Sequence, residues 1–187
     1  MATLLNLREL LAQAIEVGPG EVAGKVAGMR LPEFISRARL EGAAKLTDVH
    51  LENVYRTNLS SALNEGQVEA ASDPAARQAF PLLYLSEIHD RRTRGSPLPV
   101  ALYPNDGFHW QMDGFVGTVE DFRRWGIVPP NGYFCRGGTR LIHRTEAKRM
   151  GFILESGALD ADAIREYNGE RMAILESGEY PDKGFRR

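Results

Sequence analysis

The chain has 187 residues, 43% of them apolar and 26% charged, with a formal net charge of −2. That balance excludes wholesale disorder and leaves no global positive field to recruit nucleic acid. A single cysteine, Cys135, excludes an internal disulfide, and no apolar run approaches the roughly 20 residues of a membrane helix.

Within these bounds the charge is uneven. Residues 89–150 carry ten Lys/Arg against six Asp/Glu, giving +4, whereas residues 151–187 carry five against eight, giving −3. The first residues, Met1-Ala2-Thr3-Leu4-Leu5-Asn6-Leu7-Arg8-Glu9, lack the basic n-region and apolar core of a signal peptide. A protein of the reducing cytosol is therefore expected. Length favours one domain with a helical extension at each end.

Leu4, Leu5, Leu7, Leu10, Leu11 and Ile15 recur at helical spacing, and Gly18-Pro19-Gly20 stops that helix. Further helices are expected over 21–29 and over 32–41, the latter with Pro32 in its first turn. Thr47 reads as an N-cap with Asp48 set favourably against the helix dipole. Leu51, Val54, Tyr55, Leu59, Ala62 and Leu63 then form one stripe that Gly66 is expected to end. Asn58 lies on that stripe, either as a buried hydrogen-bonded amide or at the edge of a contact.

After Ser72-Asp73-Pro74 a short helix should reach Ala79. Candidate strands at 82–88 and 139–143 would pair in a small sheet, one helical turn covers 146–150, and Asp160 caps a final helix over 161–175. The fold class is α+β, mainly helical, with a small β-sheet and a loop-rich central unit.

That central unit, 88–140, is dense in Pro and Gly yet keeps Phe108, Trp110, Phe115, Phe122, Trp125, Tyr133 and Phe134. Long helices do not run through such a composition, but the aromatic surface is enough to fold around. Asp90 and Asp106 are natural partners for Arg92, Arg94 and Arg136, whose planar guanidiniums can hold several carbonyls or carboxylates at once. The alternative is that these arginines solvate the surface. Pro129-Pro130-Asn131-Gly132 reads as a rigid approach followed by a turn, and Cys135 as a small buried apolar group.

Chemistry-bearing patterns are sparse. Adjacent residues on a strand face opposite ways, so His89-Asp90 does not make a base with its orienting carboxylate. His89, His109, Cys135 and His143 match no compact zinc spacing. Phosphate-loop, Gly-x-Ser-x-Gly, His-Glu-x-x-His and dinucleotide patterns are missing from the sequence. No catalytic residue, metal or cofactor is expected.

Four ordered stretches carry a resemblance: Tyr55-Arg56-Thr57-Asn58, Ala62-Leu63-Asn64-Glu65-Gly66, Asp90-Arg91-Arg92-Thr93-Arg94, and Pro129-Pro130-Asn131-Gly132-Tyr133-Phe134-Cys135-Arg136. Their order and approximate distances resemble the Mu F-type phage head morphogenesis domain, the family of the minor head proteins of phage Mu and SPP1-like phages. Glu146-Ala147 followed by Gly151 resembles the end of that domain, so the resemblance implies a head morphogenesis domain over 45–151, a helical extension over 1–44 and a C-terminal helix and tail over 152–187. Two positions depart from it. Gly95-Ser96-Pro97 stands where many members place a histidine, and Cys135-Arg136-Gly137 where many read Cys-Arg-Cys.

The resemblance implies a minor head protein of a tailed bacteriophage that acts by protein–protein binding in head morphogenesis. Portal protein and a major capsid or scaffold protein are the implied partners, with no membrane. The implied location is the virion head, and the host cytoplasm during assembly. Its motif residues are Arg56, Asn58, Asp90, Arg92, Thr93, Arg94, Pro129, Pro130, Asn131, Gly132, Cys135 and Arg136. Two other readings stay open. One is a DNA-contacting head protein using Arg91, Arg92, Arg94, Arg123 and Arg124, packaged in the virion for genome delivery. The other is an enzyme or toxin-like module.

Overall fold

A computed structural model describes residues 31–40, 43, 46–105, 107–131, 135 and 137–180. The expected helices before residue 31, the partner role of Asp106, and the positions of Gly132 and Arg136 lie outside the described residues, as does the tail from 181. The chain divides into two compact units, 1–62 and 63–187.

In the first unit, α1 (Leu31–Leu40) buries Phe34 and Ala38. These meet Ala43 and Leu51, and Ile35, Leu46, Val54 and Tyr55 pack against them. The rings of Phe34 and Tyr55 lie 5.3 Å apart. Helix α2 (Asp48–Ser72) begins as its sequence dictates, with Thr47 Oγ1 accepting from the His50 amide.

Gly66 does not end α2, which runs on to Ser72. The buried positions pass from the Leu51 face to Asn64, Val68 and Ala71, three to four residues apart, and packing on that face outweighs the cost of one interior glycine. Leu63, expected on the buried stripe, is 62% exposed. Asn58 is exposed too, its amide donating to Val54 O of its own helix.

The second unit holds the sheet. Asp73 caps α3 (Pro74–Ala79), its carboxylate accepting from the Ala75 and Ala76 amides. Strand β1 (Leu82–Ser86) is central, flanked by β2 (Val116–Gly117) and β3 (Gly138–Ile142), all antiparallel. The class is therefore α+β and mainly helical, as expected. The expected pair of strands forms with Leu82 opposite Ile142 and Ser86 opposite Gly138. The third strand, two residues long, was not expected.

Around the sheet lie the short α4 (His109–Met112), α5 (Val119–Trp125), α6 (Arg144–Arg149) and α7 (Ala161–Ser177). A reciprocal capping box fixes the start of α5: Thr118 Oγ1 accepts from the Asp121 amide while the Asp121 carboxylate accepts from the Thr118 amide. His143 caps α6 and Asp160 caps α7. One core joins Val68, Leu83, Leu85, Met112, Phe115, Phe122, Ile127, Leu175 and Tyr180. On the other face of the sheet, Leu82, Val116, Ile142, Ala147 and Phe152 form a second. Residues beyond 151 thus supply Phe152, Leu175 and Tyr180 to these cores.

Two side-chain amides tie helices to strands. Asn64 Oδ1, on α2, accepts from the amide and hydroxyl of Thr139 on β3. Asn168, on α7, reaches the outer edge of β2: its Oδ1 accepts from Val116 N at 2.9 Å and its Nδ2 donates to Val116 O at 2.7 Å. Helix α7 breaks directly after that residue, at Gly169 with φ +38°. A positive φ of this kind suits glycine.

Candidate functional site

The segment after β1 contains the Asp-Arg-Arg-Thr-Arg motif, and its turn is tied by the short polar side chains. Thr93, which is buried, donates from Oγ1 to Ile88 O, and Asp90 Oδ1 accepts from the Arg92 amide at 2.8 Å. Arg91 O accepts from the Leu102 amide, Tyr103 O from the Gly95 amide, and Arg94 O from the Trp110 amide. Gln111 adds a side-chain bond to Gly95 O.

Of the guanidinium ties expected, the one from Arg92 is loose. The Arg92 side chain is mostly exposed, 3.7 Å from the Asp90 carboxylate, while the backbone of Arg91 and Arg94 does the bridging. Arg56, further upstream, is exposed and pairs with Glu52 one helical turn away.

His89 stacks on Trp110 with centroids 4.1 Å apart, and its Nε2 lies 3.4 Å from Asp113 Oδ2. Its partner is Asp113, while the neighbouring Asp90 serves the turn. His143 is spent as a helix cap, its Nδ1 accepting from the Thr145 amide. Neither joins the other two members of the histidine and cysteine set.

His109 and Cys135 do come together, and they are joined by Glu87. The sequence reading passed over Glu87, because an acidic residue at the end of a strand reads as solvated. His109 Nδ1 lies 3.4 Å from Glu87 Oε1, with both side chains only 3% exposed. One ligand atom from each of Glu87, His109 and Cys135 lies within 4.8 Å of the other two. Cys135 is half-buried and faces these polar groups, which corrects its expected role as an apolar filler.

The surroundings are built closely around this trio. The Glu87 amide donates to Asp113 Oδ1, fixing the chain where it leaves β1. A Cβ on Gly137 would sit 2.7 Å from the carbon and both oxygens of the Glu87 carboxylate, so a side chain there makes that carboxylate shift. Tyr180 donates toward Glu87 Oε1 across 3.4 Å and accepts from Asn131 Nδ2 at 2.6 Å. Burial, with the Glu87 carboxylate and Cys135 nearby, pushes the Tyr180 phenol well above its usual range and keeps it a proton donor.

Pro129, Pro130 and Asn131 are buried, and the Pro129–Pro130 peptide is cis. Asn131 acts through its side chain: Nδ2 also contacts Ile127 O, while Oδ1 has no hydrogen-bond partner among the described residues. The Pro129–Arg136 stretch thus supplies Asn131 and Cys135 to one buried polar cluster, with Glu87, His109 and Tyr180 contributed from outside the motif stretches.

On the outside of the hydrogen-bonded loop large apolar side chains stand beside the exposed Arg91 and Arg92. Val100 is 66% exposed, Leu102 52% and Tyr103 47%, with Ile88 and Leu98 also exposed. Among the described residues no helix is long and apolar enough to cross a membrane. Comparisons with family models, curated proteins and solved structures returned no match.

Proposed function

We propose that this chain is a minor head protein of a tailed bacteriophage that works by binding, with portal protein as its main contact. A major capsid or scaffold protein would be its second contact. The reading rests on the ordered motif series and on one observation above all: the loop after β1 is cross-tied by backbone bonds yet turns large apolar side chains outward. Ordered loops carry recognition well, and clustered exposed apolar residues mark interaction surfaces.

A DNA-contacting role has less support. Of the arginines it would use, Arg123 is paired with Glu69 and Arg92 lies 3.7 Å from the Asp90 carboxylate, so part of that positive charge is balanced in place.

The test is co-purification of the full chain with the portal and procapsid of the phage that encodes it. Association should be lost when Val100, Leu102 and Tyr103 are together changed to Ser, with circular dichroism unchanged. A monodisperse monomer that ignores both portal and procapsid overturns the proposal.

A further inference from the structure

We infer that Glu87, His109 and Cys135 form a binding site for a divalent transition metal, zinc by the chemistry of its donors. The inference stands on this geometry alone and is independent of the virion reading. Among the described residues, only this trio of His, Cys, Asp or Glu side chains converges closely enough to share an ion.

The spacing suits such an ion. Tetrahedral zinc, with bonds of about 2.0–2.3 Å, sets its donors roughly 3.3–3.8 Å apart. The His109 Nδ1 to Glu87 Oε1 separation of 3.4 Å already lies in that range. The widest separation in the trio, up to 4.8 Å, exceeds it by about 1 Å, a difference that small side-chain rotations close.

Charge and burial argue the same way. A carboxylate taken out of water is costly unless its charge is compensated. Zinc bound to one thiolate, one carboxylate and one neutral imidazole sums to zero net charge, which a buried site tolerates best. Forming it releases the thiol proton, so binding is pH-dependent.

The neighbours are those of a supported ligand set. Tyr180 donates toward Glu87, Asn131 holds Tyr180, and Gly137 gives the carboxylate its room. A thiolate, an imidazole and a carboxylate together favour zinc over magnesium or calcium, which take oxygen donors. The ion would join three segments distant in sequence: the exit of β1, the start of α4 and the approach to β3.

The experiment strips the full-length protein with a chelator and titrates it with Co2+ alone, followed by competition with Zn2+. The expected result is one equivalent bound, with a thiolate-to-cobalt charge-transfer band that Zn2+ abolishes. Zinc should also raise the melting temperature by roughly 5–10 °C at a hundredfold excess over its dissociation constant. Cys135→Ser should remove the charge-transfer band, and Glu87→Gln should weaken affinity at least tenfold. His143→Gln, outside the trio, should change neither. Should Glu87→Gln fail to fold, the near-isosteric Cys135→Ser carries the test. Stoichiometry below a tenth, a cobalt spectrum without a thiolate band, or binding unchanged in Cys135→Ser overturns the inference.

Discussion

Replacing Asn168 by alanine should cost the second unit much of its stability. The Asn168 carboxamide mimics a strand: it takes the Val116 amide and fills the Val116 carbonyl on the open edge of β2. Val116 is fully buried, so Asn168→Ala leaves one donor and one acceptor without partners. Each such group costs about 1–3 kcal/mol, which makes the loss about 2–6 kcal/mol. Against a typical domain stability of about 5–15 kcal/mol this is a large fraction. For a chain of this size it corresponds to a fall in melting temperature of roughly 5–20 °C.

Chemical denaturation followed by circular dichroism measures the loss, and hydrogen exchange at the Val116 amide locates it. Asn168→Asp separates the two bonds. It keeps an acceptor for Val116 N but sets a carboxylate against Val116 O, so it should be no more stable than the alanine variant. Asn168→Ala within about 0.5 kcal/mol of the parent, the range of an ordinary surface change, would refute the reasoning. An Asp variant of parental stability would do the same.

Three further outcomes are expected. Gly66→Ala should stabilise by about 0.5–1 kcal/mol, because Gly66 is helical and exposed with nothing within 4 Å of an added Cβ; a lowered denaturation midpoint would contradict this. Phe122→Ala should cost about 3–5 kcal/mol, since that ring is fully buried and packs edge-on against Phe115. Equilibrium unfolding is the check. The hydrogen bond from Arg140 holds the Glu146 carboxyl below its ordinary 4.5. Its folded value is the lower one, so its contribution is complete above about 4.5 and is lost as pH falls through the folded value. A surface pair of this kind contributes about 0.2–1 kcal/mol. The stability gap between the parent and Glu146→Gln should therefore exist at pH 7 and close by pH 2; a gap that persists in acid would refute it.

Features governed by neighbours in sequence were legible without coordinates. Asp73 and Asp160 announce their helices because a cap acts on amides two or three residues away. Leu82–Ser86 and Gly138–Ile142 announce strands by composition. Strand β2 was not legible, since Val116 and Gly117 are too few to carry an alternation, and Asn168 completes their pairing from 52 residues away. Reading Gly66 as a stop failed because the buried face of α2 moves to Asn64, Val68 and Ala71, a shift set by tertiary packing. At the candidate site, His109 and Cys135 were visible as residue types, but spacing alone gave no reason to pair them. Glu87 was invisible because nothing local distinguishes a buried carboxylate from a solvated one. Only the antiparallel closure of β1 with β3 brings it opposite Gly137.

That closure leaves position 137 bounded by volume and indifferent to polarity. A methyl group there would press on the Glu87 carboxylate itself and force it to move from its place beside His109. Scanning mutagenesis through 135–140 should therefore register a penalty at Gly137 that Gly138 does not share, since a Cβ on Gly138 meets only Asn64 Oδ1, at 3.8 Å.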